Sequence, residues 1–168
     1  VIRYLGALGL FWTLSLIWKN KSRQIFFMSL LFLIYPGYLQ QPNAFDYMTH
    51  QLAMTLMIVS IGLSVKFIQA NSKLSKIILF LTSSLFSLIT FFLMDYYLGM
   101  EAYRWLILLY IQMRDHTGEI KKKLPAIFVK VLPFSFSAFI FLFWRVFLFQ
   151  GSRYTTDLGR IGSGIFSS

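Results

Sequence analysis

Glu101 and Arg104 stand three residues apart inside a mainly apolar and aromatic stretch, Met94 to Arg114. At that spacing a carboxylate and a guanidinium share one helix face, here with Tyr97 and Leu108, and can pair with each other. Asp95 lies just before them, and Arg145 and Arg153 recur near the far end of the chain. A carboxylate can take the proton of a reacting hydroxyl, and a guanidinium offers a fork of donors that matches phosphate oxygens. Glu101 and Asp95 are therefore the candidate catalytic groups, and Arg104, Arg145 and Arg153 the candidate phosphate ligands. Two plainer readings stay open. Glu101 and Arg104 can be a self-satisfied ion pair that only avoids lipid, and Arg145 can be an interfacial anchor beside Trp144.

Other chemistry is poorly represented. With no cysteine there is no disulfide framework, thiolate metal site or cysteine nucleophile. His50 and His116 each lack a second ligand at metal-binding spacing. The sequence contains no Walker loop, nucleophile elbow or zinc motif, and Gly159, Gly162 and Gly164 read as flexible loop. No cofactor is evident, although nothing speaks against a divalent cation.

The elements that must position these charges are long apolar runs. Of the 168 residues, 57% are hydrophobic, 19% aromatic and only 13% charged, about half the charge of a soluble domain. The expectation is an all-α polytopic membrane helix bundle of about six transmembrane helices. The runs are Tyr4 to Trp18, Ile25 to Tyr38, Gln51 to Gln69, Ile77 to Met94, Tyr96 to Arg114 and Pro133 to Phe149. The fifth, at 1.5 Å per residue, makes about 28 Å of helix, close to the hydrocarbon thickness of a bilayer. The second is shorter and ends at Pro36 and Gly37. Ser60 with Ser64, and Ser83 with Ser87, form two small-xxx-small seams suited to helix packing. Leu124 to Pro133 reads as a basic interfacial segment. Because the chain opens on Val1 and closes in a polar loop, it reads as a fragment, one transmembrane domain over 1–168.

The formal charge of +10 does not indicate nucleic acid, since the basic residues cluster in short connections and form no continuous face. Eleven of the sixteen lysines and arginines lie in or border the connections after Trp18 (Lys19, Lys21, Arg23), after Gln69 (Lys66, Lys73, Lys76) and after Arg114 (Arg114, Lys121, Lys122, Lys123, Lys130). By the positive-inside rule these connections are cytoplasmic in a multi-pass protein of the cell membrane. The outer side then receives Asp46, Asp95, Glu101 and Asp157 together with Arg104, Arg145 and Arg153.

The run Leu30-Leu31-Phe32-Leu33-Ile34-Tyr35-Pro36-Gly37, followed by a polar loop and a long span, resembles the membrane core of the GT-C glycosyltransferases. It is most similar to the tetratricopeptide-linked, O-mannosyltransferase-like members, in which a comparable run ends in His-Pro; here Tyr35 stands in place of the histidine. Glu101 near the outer start of a span, the basic stretch Arg114 to Lys130 and Arg145 at the end of the next span follow the same layout. The resemblance implies transfer of a sugar from a polyprenyl-phosphate carrier to an acceptor at the outer face, with membrane lipids and a lipid-linked sugar donor as partners, beside any remaining helices of the same chain. In that group the catalytic carboxylate is carried in the first outer loop, which would precede Val1. The competing classes are a multi-pass transporter or lipid flippase, for which charges inside a span and Pro/Gly-interrupted helices also speak, and a non-catalytic membrane scaffold held by the serine seams.

Overall fold

A computed structural model of the chain describes residues 1–35, 44–114, 125, 128–129 and 131–149, with the backbone alone given over 44–47. Every regular element among them is helical. They are α1 (Ile2–Ile17), α2 (Ser22–Ile34), α3 (Ala44–Gln69), α4 (Lys73–Leu93), α5 (Met100–Arg114) and α6 (Phe136–Phe143). A 3-10 turn over Asp95–Gly99 precedes α5, another over Leu132–Ser135 leads into α6, and a π turn over Trp144–Leu148 closes α6.

The helix α3 is the one the others are built on. Its 26 residues make about 39 Å of helix, and it packs against α1 on one side and α4 on the other. Its sequence is apolar around its circumference, as a helix buried on two faces must be. Toward α1 the approach is close. A Cβ at Gly62 would meet the Trp12 ring at 2.4 Å and Thr13 Oγ1 at 2.5 Å, so only glycine fits, and one at Gly6 would meet Thr55 Oγ1 at 2.8 Å. Thr13 Oγ1 donates to the carbonyl of Ile58 at 3.1 Å across this contact. Toward α4, Ser60 and Ser64 face Ser83 and Ser87, and all four are buried. The two seams read from the sequence are thus the two halves of one interface.

The helices alternate in direction. Gln69 Nε2, at the end of α3, donates to the carbonyl of Leu16 near the end of α1, and Arg114, closing α5, donates to the carbonyl of Ile17. At the opposite end Arg3 Nη2 donates to the carbonyl of Tyr35, Tyr96 bonds His50, and Arg145 pairs with Asp95. Two apolar clusters fill the interior: Ile17, Val65, Leu108, Ile111, Val131 and Phe134 toward the first end, and Met57, Ile61, Phe91 and Phe141 toward the second.

Two helical stretches, Met48–Gln69 and Lys73–Leu93, are long and apolar enough to cross a membrane. On α4 the residues turned away from the bundle are Leu74, Ile78, Leu81, Leu85, Ile89 and Phe92, all exposed and spaced so as to make one stripe down the helix. The first expected span matches α1 closely, but the fifth and sixth come out shorter as α-helix. The fifth does not run from Tyr96 as one helix: Asp95–Gly99 tightens into the 3-10 turn, and the remaining 15 residues of α5 cover only about 22 Å. The sixth keeps 8 α-helical residues between its 3-10 and π turns. The third, by contrast, starts earlier than expected, at Ala44, so that Thr49 and His50 are helical and not part of a polar connection. Of the stretch Leu124 to Pro133, positions 124, 126, 127 and 130 lie outside the described residues.

Candidate functional site

The only fully buried arginine side chain among the described residues belongs to Arg104, at 0% exposure. It enters from α5, whose Leu108 and Ile111 pack into the first apolar cluster and so aim the same face of the helix inward. Its Nη2 donates to Ser60 Oγ at 2.7 Å and to Ser87 Oγ, and it lies 3.5 Å from Glu101 Oε1. Ser87 Oγ in turn donates to Glu101 Oε1 at 3.4 Å. The guanidinium lies 5.9 Å from the Phe134 ring centre and close to Met57 Sδ, so it sits where the two apolar clusters meet.

The serines continue the network away from the arginine. Ser83 Oγ donates to the carbonyl of Ser60 at 2.9 Å, and Ser64 and Ser83 hydroxyls stand 2.8 Å apart. All four hydroxyls let α3 and α4 approach closely, and those of Ser60 and Ser87 also supply polar atoms where α5 delivers a charge. Satisfaction is incomplete. Arg104 Nε and Nη1 and Glu101 Oε2 are buried without a hydrogen-bond partner. In a low-dielectric interior such groups are costly, which marks this centre as unlike ordinary packing.

A second ion pair lies at the end of the bundle where the 3-10 turn and the π turn meet. Arg145 Nη2 is 3.3 Å from Asp95 Oδ2, with the side chains 34% and 54% exposed. The Arg145 guanidinium also covers the Phe149 ring at 4.5 Å, and Trp144 packs edge-on to Phe92 at 4.9 Å. Close by in sequence, Tyr96 bonds His50 Nδ1 and stacks on Tyr97 at 4.7 Å, and Tyr97 Oη donates to the His50 carbonyl at 3.3 Å. This is an accessible site with a carboxylate, a guanidinium and aromatic faces.

The expected residues thus divide into two pairs. Glu101 and Arg104 meet, as their spacing foretold; Asp95 and Arg145 meet, which their spacing could not foretell. Arg104 is enclosed while Arg145 is open, so the two do not form one phosphate clamp, and Arg153 lies outside the described residues, as do the Asp46 side chain and Asp157. The sequence reading missed Ser60 and Ser87 as partners of Arg104. Their regular spacing was visible, but it signalled packing alone. Among the described residues no group of three or more histidine, cysteine or acidic side chains is arranged to hold a metal ion. Comparison with protein-family models, with curated proteins and with solved structures finds no match to this chain.

Proposed function

We propose that the chain belongs to the membrane-embedded body of a multi-pass glycosyltransferase, which moves a sugar from a polyprenyl-phosphate carrier to an acceptor hydroxyl at the outer face. The observation that carries this reading is the open Asp95–Arg145 pair, set among aromatic side chains at one end of the bundle. In the reaction the acceptor oxygen bonds to the sugar's anomeric carbon as the bond from that carbon to the carrier phosphate breaks. The acceptor's proton passes to a carboxylate, and the electron pair stays on the phosphate. Asp95 is suited to receive the proton, and Arg145 to neutralise the departing phosphate, because both are accessible and already hold each other in place. The aromatic rings give the sugar apolar faces to lie on. A π turn at this position supports a functional role, since such distortions of helices concentrate at binding sites. The exposed apolar stripe of α4 supports the bilayer setting.

The test is binding of a polyprenyl-phosphate analogue to the protein in nanodiscs. Replacement Arg145→Lys keeps the charge and removes the fork, so affinity should fall by about 1 to 3 kcal/mol. Unchanged affinity would reduce Arg145 to an anchor and sink the proposal.

One observation favours a transporter instead: the enclosed Glu101–Arg104 pair with its unpartnered donors, since charges inside helix bundles often mark substrate paths. On that reading Glu101→Gln abolishes uptake in proteoliposomes while leaving analogue binding at Arg145 untouched.

A further inference from the structure

Between the end of α3 and the start of α4 lies a cleft of about 540 Å³, lined by Lys66, Gln69, Ala70, Ser75, Ile78 and Leu79. It is remote from both ion pairs, at the opposite end of the bundle from Asp95 and Arg145. We propose that this cleft holds the phosphate headgroup of an anionic membrane lipid, with the lipid's acyl chains lying along the exposed stripe of α4.

Charge is the first argument. No acidic residue occurs between Asp46 and Asp95, so the charges of the α3–α4 hairpin beyond its opening turn are Lys66, Lys73 and Lys76, all gathered at this turn. Among the described residues none of the three is ion-paired. Lys66 lies 5.8 Å from the Trp12 ring centre, a contact with the ring face that leaves its N–H groups free to donate. Lys66 lines the cleft itself, whereas Lys73 and Lys76 stand outside its lining, in the first turns of α4 on either side of Ser75 in the sequence. Such basic pockets between helices are where anionic headgroups collect.

Donor geometry is the second. Ser72, at the start of α4, makes no side-chain cap, so the positive pole of the helix dipole lies uncapped at the same end of the bundle as the cleft. Ser75 adds a hydroxyl, and Gln69 Nε2, which already gives one N–H to the Leu16 carbonyl, has a second. The third argument is shape. Ile78 belongs both to the cleft wall and to the apolar stripe that continues through Leu81, Leu85 and Ile89. A free phosphate would use only the polar half of this arrangement, whereas a phospholipid uses both.

The proposal rests on the bilayer setting of the bundle but is independent of glycosyl transfer. The setting is checked first, by flotation of the full chain with phosphatidylcholine vesicles after an alkaline wash; failure there defeats the setting itself. The cleft is then tested by native mass spectrometry from nanodiscs of mixed phosphatidylcholine and phosphatidylglycerol. The intact chain should retain phosphatidylglycerol preferentially. Replacing Lys66, Lys73 and Lys76 together by Gln should lower that preference about tenfold or more, each lysine accounting for a few-fold. Ile78→Trp, which fills the wall without changing charge, should lower it as well. Lys19→Gln with Lys21→Gln, at the same end but outside the cleft, should leave it intact. The proposal is overturned if the chain shows no preference, if the Lys19 and Lys21 variant loses as much as the triple variant, or if soluble glycerol phosphate displaces the retained lipid.

Discussion

Arg104 is held by hydroxyls from two other helices and by a carboxylate one turn before it on its own, and that division of labour makes its energetics testable. A buried pair contributes little net stability, because removing both charges from water offsets their attraction. Losing one partner is different. Arg104→Leu should cost about 3 to 5 kcal/mol by leaving Glu101 buried and unpaired, whereas Arg104→Leu combined with Glu101→Leu should regain most of it. Thermal unfolding in detergent checks this, and equal losses in the single and double variants would show that the serine contacts, not the pair, dominate. Arg104→Lys should recover only part of the loss: Nη2 alone makes the contacts to Ser60, Ser87 and Glu101, and the shorter lysine stem places its ammonium short of that position. The i, i+3 pairing was legible in the sequence because it depends on helical geometry alone. The meeting of Arg104 with Ser60 and Ser87 was not, since it depends on how far α5 slides along α3 and α4, and local spacing carries no record of that register. The Asp95–Arg145 pair was hidden for the same reason, being separated by 50 positions in the chain.

At the scale of elements, the α1–α3 contact is fixed by absent side chains. The Cβ of Gly62→Ala would press on the Trp12 ring and on Thr13, whose hydroxyl is already engaged with Ile58, so the helices must part. The expected loss is about 1 to 3 kcal/mol. Gly99→Ala is the matching control: nothing lies within 4 Å of the added carbon, and it should be neutral or stabilising by about 0.4 to 1 kcal/mol. Similar melting temperatures for the two variants would contradict the close approach. The sequence displayed Gly6, Gly9 and Gly62 without revealing that the first two lie against Thr55 and Val59 of α3 and the third against Trp12 and Thr13 of α1, because a glycine in an apolar helix serves equally well at a kink, a contact or no contact at all. Helix number and order were readable from the apolar runs. Helix ends were not: Tyr96 to Gly99 is apolar enough to continue α5, yet its backbone closes into a tighter turn that brings Tyr96 and Tyr97 to His50.

For the whole molecule, the alternation of helix direction brings Trp18, Gln69 and Arg114 to one end and Tyr35, His50 and Asp95 to the other. This is the grouping that the lysine and arginine distribution anticipated. The chain has no cysteine, so single cysteines can be introduced without background. In intact cells a cysteine at Gly99 should react with an impermeant maleimide and one at Ser72 should be protected, and the reverse pattern would invert the topology. In the bilayer setting proposed above, the buried arginine would also set an order of events during synthesis. An isolated α5 would carry Arg104 into lipid at about 2.5 to 3.5 kcal/mol, and the hydroxyls that relieve this cost reside on α3 and α4, which leave the ribosome earlier. The α3–α4 hairpin, apolar and uncharged between His50 and Lys66, can enter the bilayer unaided and wait as a receptor for its successor. Integration of α5, followed with a glycosylation reporter fused after Arg114, should therefore fall when Ser60 and Ser87 are both replaced by Leu, although neither residue is in the segment being inserted.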